Sequence, residues 1–223
     1  MRTHITDSIH DIAINIMQDK RKIKTIPAHS LVLASRSQLF SKMIILRKDD
    51  STAKETDNVK CLDICVENVL PDVFSAFLEF MYSGKEPSND SKYRVCKGKH
   101  VKVHWADEVC DFQKPVVSVK GKKKERYVEM EFFEVFHDYA RHFGLRTSMR
   151  HNNNITPGKF SFDHDSFPEL FDCEVECDDG ILFSSHKCLL AARIPYFQGM
   201  LESYWMETAM GRGEGLSRLK VCT

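Results

Sequence analysis

The sequence lacks long apolar runs and an excess of charge of either sign. Its 223 residues include 32 basic and 32 acidic side chains, so the formal net charge is zero and the whole molecule has no net electrostatic attraction to nucleic acid or an anionic membrane. No stretch approaches the roughly 20 apolar residues of a transmembrane helix, and the first residues contain no apolar core of an export signal. We therefore expect no membrane partner and a location in the cytoplasm, with the nucleus as a second compartment.

Disulfide bonds are also not expected. The chain has eight cysteines, but disulfides persist mainly in exported proteins, and no export signal is present. Hydrophobic residues make up 42% and charged residues 29% of the sequence, which is typical of globular domains. A chain of this length accommodates one large domain or two domains of about 100–120 residues.

One stretch of the chain occurs twice. Residues 29–43 return in altered form as residues 186–200, and both copies have His, Leu-Ala, Arg, Phe and Met at identical offsets. Upstream of each copy, an aspartate precedes alternating apolar residues, at Asp11 in the first copy and at Asp172 in the second. Solenoid units repeat every ~20–50 residues. The distance along the chain between residues 29–43 and 186–200 is much larger, which indicates a duplicated domain.

Each copy has the pattern of a β-hairpin followed by short helices. Ile12, Ile14 and Ile16 alternate with other residues, as in a strand with one buried face. The second copy has Asp-Asp-Gly at residues 178–180, and a glycine there supplies the positive φ that tight hairpins need. Beyond each hairpin, apolar residues at helical spacing predict one or two amphipathic helices.

These linked motifs resemble the BTB/POZ family. The likeness continues through residues 62–74 and 78–84, which match the family's third strand and a helix that ends in a Tyr-Ser-Gly turn. The resemblance implies an α+β chain with the BTB/POZ (Skp1-like) fold, a hairpin plus short helices, in two copies of which the second is incomplete. The positions that match the repeated motif in the first copy are Asp11, Ala28, His29, Leu33, Ala34, Arg36, Ser37, Phe40 and Met43.

The resemblance divides the chain into two modules. The first module spans residues 8–150 and carries a basic insertion at about 86–127, which we expect to be a short hairpin or a disordered loop. A linker at 151–166 leads to a partial second module at 167–210, and the atypical tail at 211–223 resembles neither the third strand nor the long helix of the first module. Since a module of ~55 residues buries a small share of its surface, the second module is expected to be marginally stable alone.

A non-catalytic role as an adaptor or scaffold is what the resemblance implies. Such a protein would recruit substrates to a cullin-RING ubiquitin ligase, or inhibit a kinase by binding to it. The expected partners are a cullin scaffold, another BTB module in the same chain or in a second copy, and a tyrosine kinase client. No cofactor is expected.

The family's cullin-binding face consists of the helix pair, the loop before the next long helix, and the helix that follows. Most of the matching positions are also candidates for the hydrophobic core, so we expect only a minority of them to touch a partner. The partner-binding candidates are Phe40, Met43, Ile44, Asp72, Phe74, Tyr82 and Phe136.

A charged pocket is expected where modules of this family pair. An aspartate at the start of the hairpin and a basic residue just after the histidine line that pocket, and the corresponding residues here are Asp11, Asp172 and Lys187. The first module has Ser30 at the basic position, so Asp11 is expected to lack its partner. Because a buried unpaired charge is costly, ordinary homodimerisation of the first module is in doubt.

The sequence does not support catalysis. His29 and His186 recur in the two copies, but no Ser-His-Asp or Cys-His set recurs with them, and no glycine-rich phosphate loop is present. Each histidine stands where a hairpin enters a helix. We therefore interpret both as residues that cap and pack.

Two further motifs have weak functional readings. A set of cysteines and histidines between residues 96 and 110 has the ligand types of a zinc site. Its spacing does not match a common zinc site, so we interpret these side chains as histidines and thiols of a loop. The basic run at 120–126 suggests an alternative function, a nuclear BTB regulator that associates with DNA or chromatin. No aromatic residues are interleaved, so a solvated loop is preferred and nucleic acid is the less favoured partner. The weak metal candidates are Cys96, His100, His104 and Cys110.

Overall fold

The computed structural model describes residues 9–49, 61–85, 87, 91–96, 99–106, 127–145, 147–149, 155–157, 167–202 and 217–220. None of the helices in these ranges combines the length and the apolar character of a membrane span. The elements up to residue 145 are β1 (Ile12–Gln18), β2 (Arg21–Ala28), α1 (Ser30–Arg36), α2 (Gln38–Asp49), β3 (Leu62–Glu67), α3 (Pro71–Ser83), β4 (Lys92–Cys96), β5 (Lys102–Trp105), β6 (Tyr127–Glu131) and α4 (Phe132–His142). Those that follow are β7 (Thr147–Met149), β8 (Ile155–Pro157), the short 3-10 helix Pro168–Leu170, β9 (Cys173–Glu176), β10 (Leu182–Ser185), α5 (Lys187–Arg193), α6 (Pro195–Glu202) and β11 (Ser217–Lys220).

The first module is a four-stranded sheet, in the order β2-β1-β3-β5, covered by helices. Strand β1 is central because its alternating isoleucines are completely buried. It pairs antiparallel with β2 and parallel with β3, and Ile14 lies between Ile26 on one side and Ile64 on the other. The predicted hairpin and third strand are therefore present, and the chain has the predicted α+β character.

Helices α2, α3 and α4 meet in an aromatic core. The ring of Phe143 lies 5.0 Å from that of Phe40 and 5.2 Å from that of Phe77, and the ring of Phe136 lies 5.3 Å from that of Phe80. Full burial of one such side chain contributes roughly 1.5–3 kcal/mol. Burial of so many rings explains why the first module can form a core of its own.

Backbone hydrogen bonds join the α1–α2 junction to the end of α4. The amide of Gln38 donates to the carbonyl of Gly144 at 3.0 Å. The hydroxyl of Ser37 and the amide of Leu39 both donate to the carbonyl of Phe143. Gly144 has a φ of +57°, and a Cβ there would lie 3.1 Å from the Cβ of Gln38. This close approach brings the start of α2 against the last turn of α4.

Part of the predicted insertion belongs to the main sheet, which corrects the expectation of a hairpin or disordered loop. Strand β5 pairs antiparallel with β3, and its Trp105 is 6% exposed and lies in the core. The guanidinium of Arg47 lies 5.5 Å from the centre of that indole ring. Strands β4 and β6 form a separate antiparallel pair that leads into α4. The basic run at 120–126 lies outside the described residues.

The second module repeats the sheet of the first with three strands, in the order β10-β9-β11. Strand β11 comes from the tail and pairs parallel with β9, as β3 pairs with β1. The prediction that the tail resembles no third strand is therefore wrong. Its Leu219 is 1% exposed and packs with Cys173, Phe197 and Met200 in a small second core.

Replacement of Leu219 by alanine should loosen the second module and leave the first one unchanged. Loss of a buried leucine costs about 2–5 kcal/mol, which is a large share of the stability of so small a core. Amide hydrogen exchange should show faster exchange in Cys173–Glu176 and little change in Ile12–Gln18. Leu182→Ala is the matched control because Leu182 is exposed on the edge strand β10. Equal protection in both variants would contradict the assigned role of the tail.

Candidate functional site

A carboxylate links the sheet of the first module to its first helix. Ser30 begins α1, where a backbone N–H has no partner within the helix. Asp11 accepts a 2.7 Å hydrogen bond from the amide of Ser30 and a second bond from its hydroxyl. The expectation that Asp11 lacks a partner is therefore corrected, because a serine supplies two neutral donors where the family has a cation.

The second module has the same link with a different partner. Asp172 accepts a 2.7 Å hydrogen bond from the amide of Lys187, the first residue of α5. Burial raises the pKa of the Asp172 carboxyl, while this hydrogen bond and the nearby Lys187 ammonium act in the opposite direction. The pocket candidates Asp11, Asp172 and Lys187 thus all lie where a first strand meets the start of a helix.

The two recurrent histidines have structural partners. The backbone amide of His29 donates to the hydroxyl of Tyr82 at 2.8 Å, and its Nδ1 lies 3.0 Å from the same oxygen. His186 Nδ1 lies 3.1 Å from the carbonyl of Leu170, and it must carry a proton because a carbonyl can only accept. Burial lowers the pKa of His29, which favours the neutral ring. Both rings are buried at the hairpin–helix junction.

Most of the partner-binding candidates lie in the core. Four of the seven are buried and unavailable to a partner, because they fill the space between the sheet and the helices. Of the other three, Asp72 is exposed, Met43 is half-buried, and Tyr82 is half-buried with its hydroxyl bonded to His29. The four core residues are Phe40, Ile44, Phe74 and Phe136.

An exposed apolar side chain on α2 was not predicted. Leu46 is 68% exposed and lies three residues after Met43, so both side chains lie on one side of the helix. That spacing was the available signal, but helical periodicity alone does not tell which apolar positions remain uncovered. The second module exposes several further large apolar side chains, namely Ile181, Leu182, Phe183, Ile194 and Tyr196.

The weak metal candidates are spread over different elements. Cys96 ends β4, His100 precedes β5, and His104 lies on β5 beside Cys65 of β3. Cys110 lies outside the described residues. Within the described part of the chain, no three histidine, cysteine or acidic side chains are grouped closely enough to hold a metal ion.

A family model decides what this architecture is. The model described as the BTB/POZ domain matches residues 6–105 and 162–211, one segment in each module. The chain belongs to the BTB/POZ family. Membership implies binding to other proteins and association of BTB modules with one another, which fits a site made of helix ends and exposed apolar residues.

Three curated relatives that share one name match most of the chain. The chain is 27% identical to the inhibitor of Bruton tyrosine kinase from Xenopus laevis, over 92% of its own length and 18% of that protein. The proteins of that name from Mus musculus and Homo sapiens are 28% and 27% identical, each over 91% of this chain and 18% of the relative. The chain therefore spans less than a fifth of the length of these relatives.

The two BTB modules lie against each other. Leu170, which leads into the second module, is 2% exposed and packs into the core of the first module. Asp11 is near enough to Asp172 to raise the pKa of its carboxyl, although burial is the larger cause. The thiol of Cys188 has a raised pKa because of burial and because Asp172 and Asp11 are both close. The start of α5 thus lies near the Asp11 carboxylate of the first module.

Replacement of Tyr82 by phenylalanine should destabilise the first module. The variant leaves the amide of His29 and one ring nitrogen without the hydroxyl that both contact, and a buried unsatisfied group costs about 1–3 kcal/mol. Chemical denaturation monitored by circular dichroism measures this loss. Tyr196→Phe is the control, since Tyr196 is 51% exposed and should show no change. A stable Tyr82→Phe variant would rule out a structural role for the hydroxyl.

Acid should destabilise the protein through His29. The folded state holds the pKa of His29 below its ordinary value of 6.5, so the unfolded chain takes up a proton first as the pH falls. The free energy of unfolding should therefore decrease from pH 7.5 towards pH 5. In His29→Gln the decrease should be smaller, whatever the absolute stability of the variant. An identical pH dependence in both proteins would show that His29 is not responsible.

Proposed function

We propose that the protein is a non-catalytic adaptor that connects a cullin scaffold of a ubiquitin ligase to a client protein. Its action is binding alone. The proposal rests on BTB/POZ membership and on the resemblance of the helix pair, the loop before α3 and α4 to the cullin-binding face of that family. We also propose that the protein acts in the cytoplasm, with the nucleus as a second compartment.

The observation that carries the proposal is the exposed apolar edge of α2. Leu46 is largely in solvent and Met43 is partly so, although the rest of the apolar residues of this helix are buried or half-buried. Contiguous apolar side chains left in solvent mark interaction sites on many proteins. A cullin helix or loop that covers these two residues would remove them from water.

Exposed charged side chains also lie on the other two elements of the proposed cullin-binding face. The loop before α3 is held against α4 because the amide of Leu70 donates to the hydroxyl of Tyr139 at 2.7 Å. Asp72 is exposed at the start of α3, and Asp138 and Arg141 form an exposed 3.2 Å ion pair on α4. Exposed charges around an apolar centre favour the correct partner more than they add affinity.

The client is proposed from the names of the relatives. Three proteins called inhibitor of Bruton tyrosine kinase match more than nine-tenths of this chain. We propose that the client is a tyrosine kinase, which the protein would inhibit by binding or present for ubiquitylation. The kinase would bind at a different surface of the chain, so that Met43 and Leu46 on α2 stay accessible to the cullin.

Leu46→Glu should weaken binding of a cullin N-terminal domain by at least tenfold, which corresponds to about 1.4 kcal/mol. The substitution places a charge where the proposed interface is apolar, and it leaves the core untouched because Leu46 is exposed. Isothermal titration calorimetry with the purified chain measures the dissociation constant.

Ile23→Glu serves as the matched control. Ile23 is also an exposed apolar residue of the first module, but it lies on the edge strand β2. The control should bind the cullin domain like the unmodified chain. Equal loss in both variants, or no loss in Leu46→Glu, would remove α2 from the interface.

A further inference from the structure

We propose that the two BTB modules pair with each other inside one chain, through equivalent surfaces at the start of α1 and the start of α5. This pairing occupies the surface that a second copy of the chain would need, so the protein is a monomer with one internal module pair. The inference is independent of the identity of any cullin or kinase.

An apolar contact is the first support for internal pairing. The 3-10 helix Pro168–Leu170 packs against α2, and its Leu170 joins the core of the first module. Phe167 packs at the edge of the same core. The carbonyl of Leu170 also accepts a hydrogen bond from the ring of His186, just before α5. Leu170 therefore contacts the first module through its side chain and the second module through its carbonyl.

The two carboxylates at the helix starts provide the second support. Asp11 and Asp172 hold equivalent positions in the two modules, each bonded to the first amide of the helix that follows its hairpin. Burial is the main reason that the pKa values of Cys188 on α5 and Tyr82 in the first module are raised. Both carboxylates also lie close enough to Cys188, and Cys188 to Tyr82, to contribute to these shifts. These groups come from both modules, so the start of α5 lies close to Asp11 and Tyr82 of the first module.

The charges at the two helix starts suit a pair of unlike modules. The module with Lys187 supplies a cation next to Asp172, and the module with Ser30 supplies neutral donors to Asp11. Two copies of the first module would bring together two carboxylates with no lysine at the equivalent position. Pairing of a first module with a second module therefore has the better charge balance.

The connection between the modules favours pairing within the chain. Residues 146–166 join them, and a tether of this length keeps the local concentration of one module around the other in the millimolar range. A second copy at micromolar concentration competes poorly with a tethered partner. Equivalent surfaces that are satisfied within the chain leave no open twofold interface for a homodimer.

Light scattering and isotope-mixed cross-linking test this proposal on the unmodified chain. The expected mass is 25.8 kDa at all concentrations from 1 to about 100 μM, the mass of one chain. In an equal mixture of ¹⁴N and ¹⁵N protein, zero-length cross-links between carboxylates and lysines of the two modules should join peptides of the same isotope. A mass of twice 25.8 kDa, or abundant mixed-isotope cross-links between the modules, would overturn the proposal.

Leu170→Asp tests the apolar contact. The variant should lose at least half of the cross-links between modules and increase exchange at the start of α5. Tyr196→Asp introduces the same charge at an exposed apolar position of the second module and should keep them. Unchanged cross-linking in Leu170→Asp would overturn the assigned contact. If that variant proves unfolded, the isotope experiment on the unmodified chain still decides the question, and neither result depends on cullin binding.

Discussion

The structure depends on one repeated interaction, a carboxylate at the start of the central strand that bonds the first amide of the following helix. Asp11 bonds Ser30 in the first module, and Asp172 bonds Lys187 in the second. The bond satisfies a backbone donor that the helix itself leaves unpaired and fixes the angle at which the helix leaves the hairpin. In the first module this places α2 against α3 and α4, where the aromatic core forms. In the second it places α5 beside the first module.

Function follows from which side chains remain uncovered once this core is closed. A BTB chain acts through surfaces, and the surfaces here differ between the modules. The first module is covered on most sides, and Leu46 is the most exposed large apolar side chain among its described residues. In the second module α5, α6 and three strands enclose only a small core. That module gains support from Leu170 packing on its neighbour, and this dependence links the binding role to the arrangement of the two modules.

Much of the fold could be predicted from the sequence, because its signals are local. Alternating isoleucines predicted β1, and the Tyr-Ser-Gly turn marked the end of α3 at Gly84. Strand β11 could not be predicted, since Ser217–Lys220 has one apolar residue and pairs with a strand more than 40 residues away. Strand β5 lies in the predicted insertion, and its place in the main sheet depends on a distant partner as well. Sequence periodicity also could not separate Leu46 from Ile44, because α2 is covered on several sides by other helices.

The mass of the complex between the purified chain and a cullin N-terminal domain tests the account most directly. Light scattering at micromolar concentration should show one defined complex that contains one copy of each protein, because the account predicts one cullin-binding face on a monomeric chain. A folded, monodisperse chain that forms no complex would contradict the adaptor role. A complex with two copies of the chain would contradict the internal pairing of the modules.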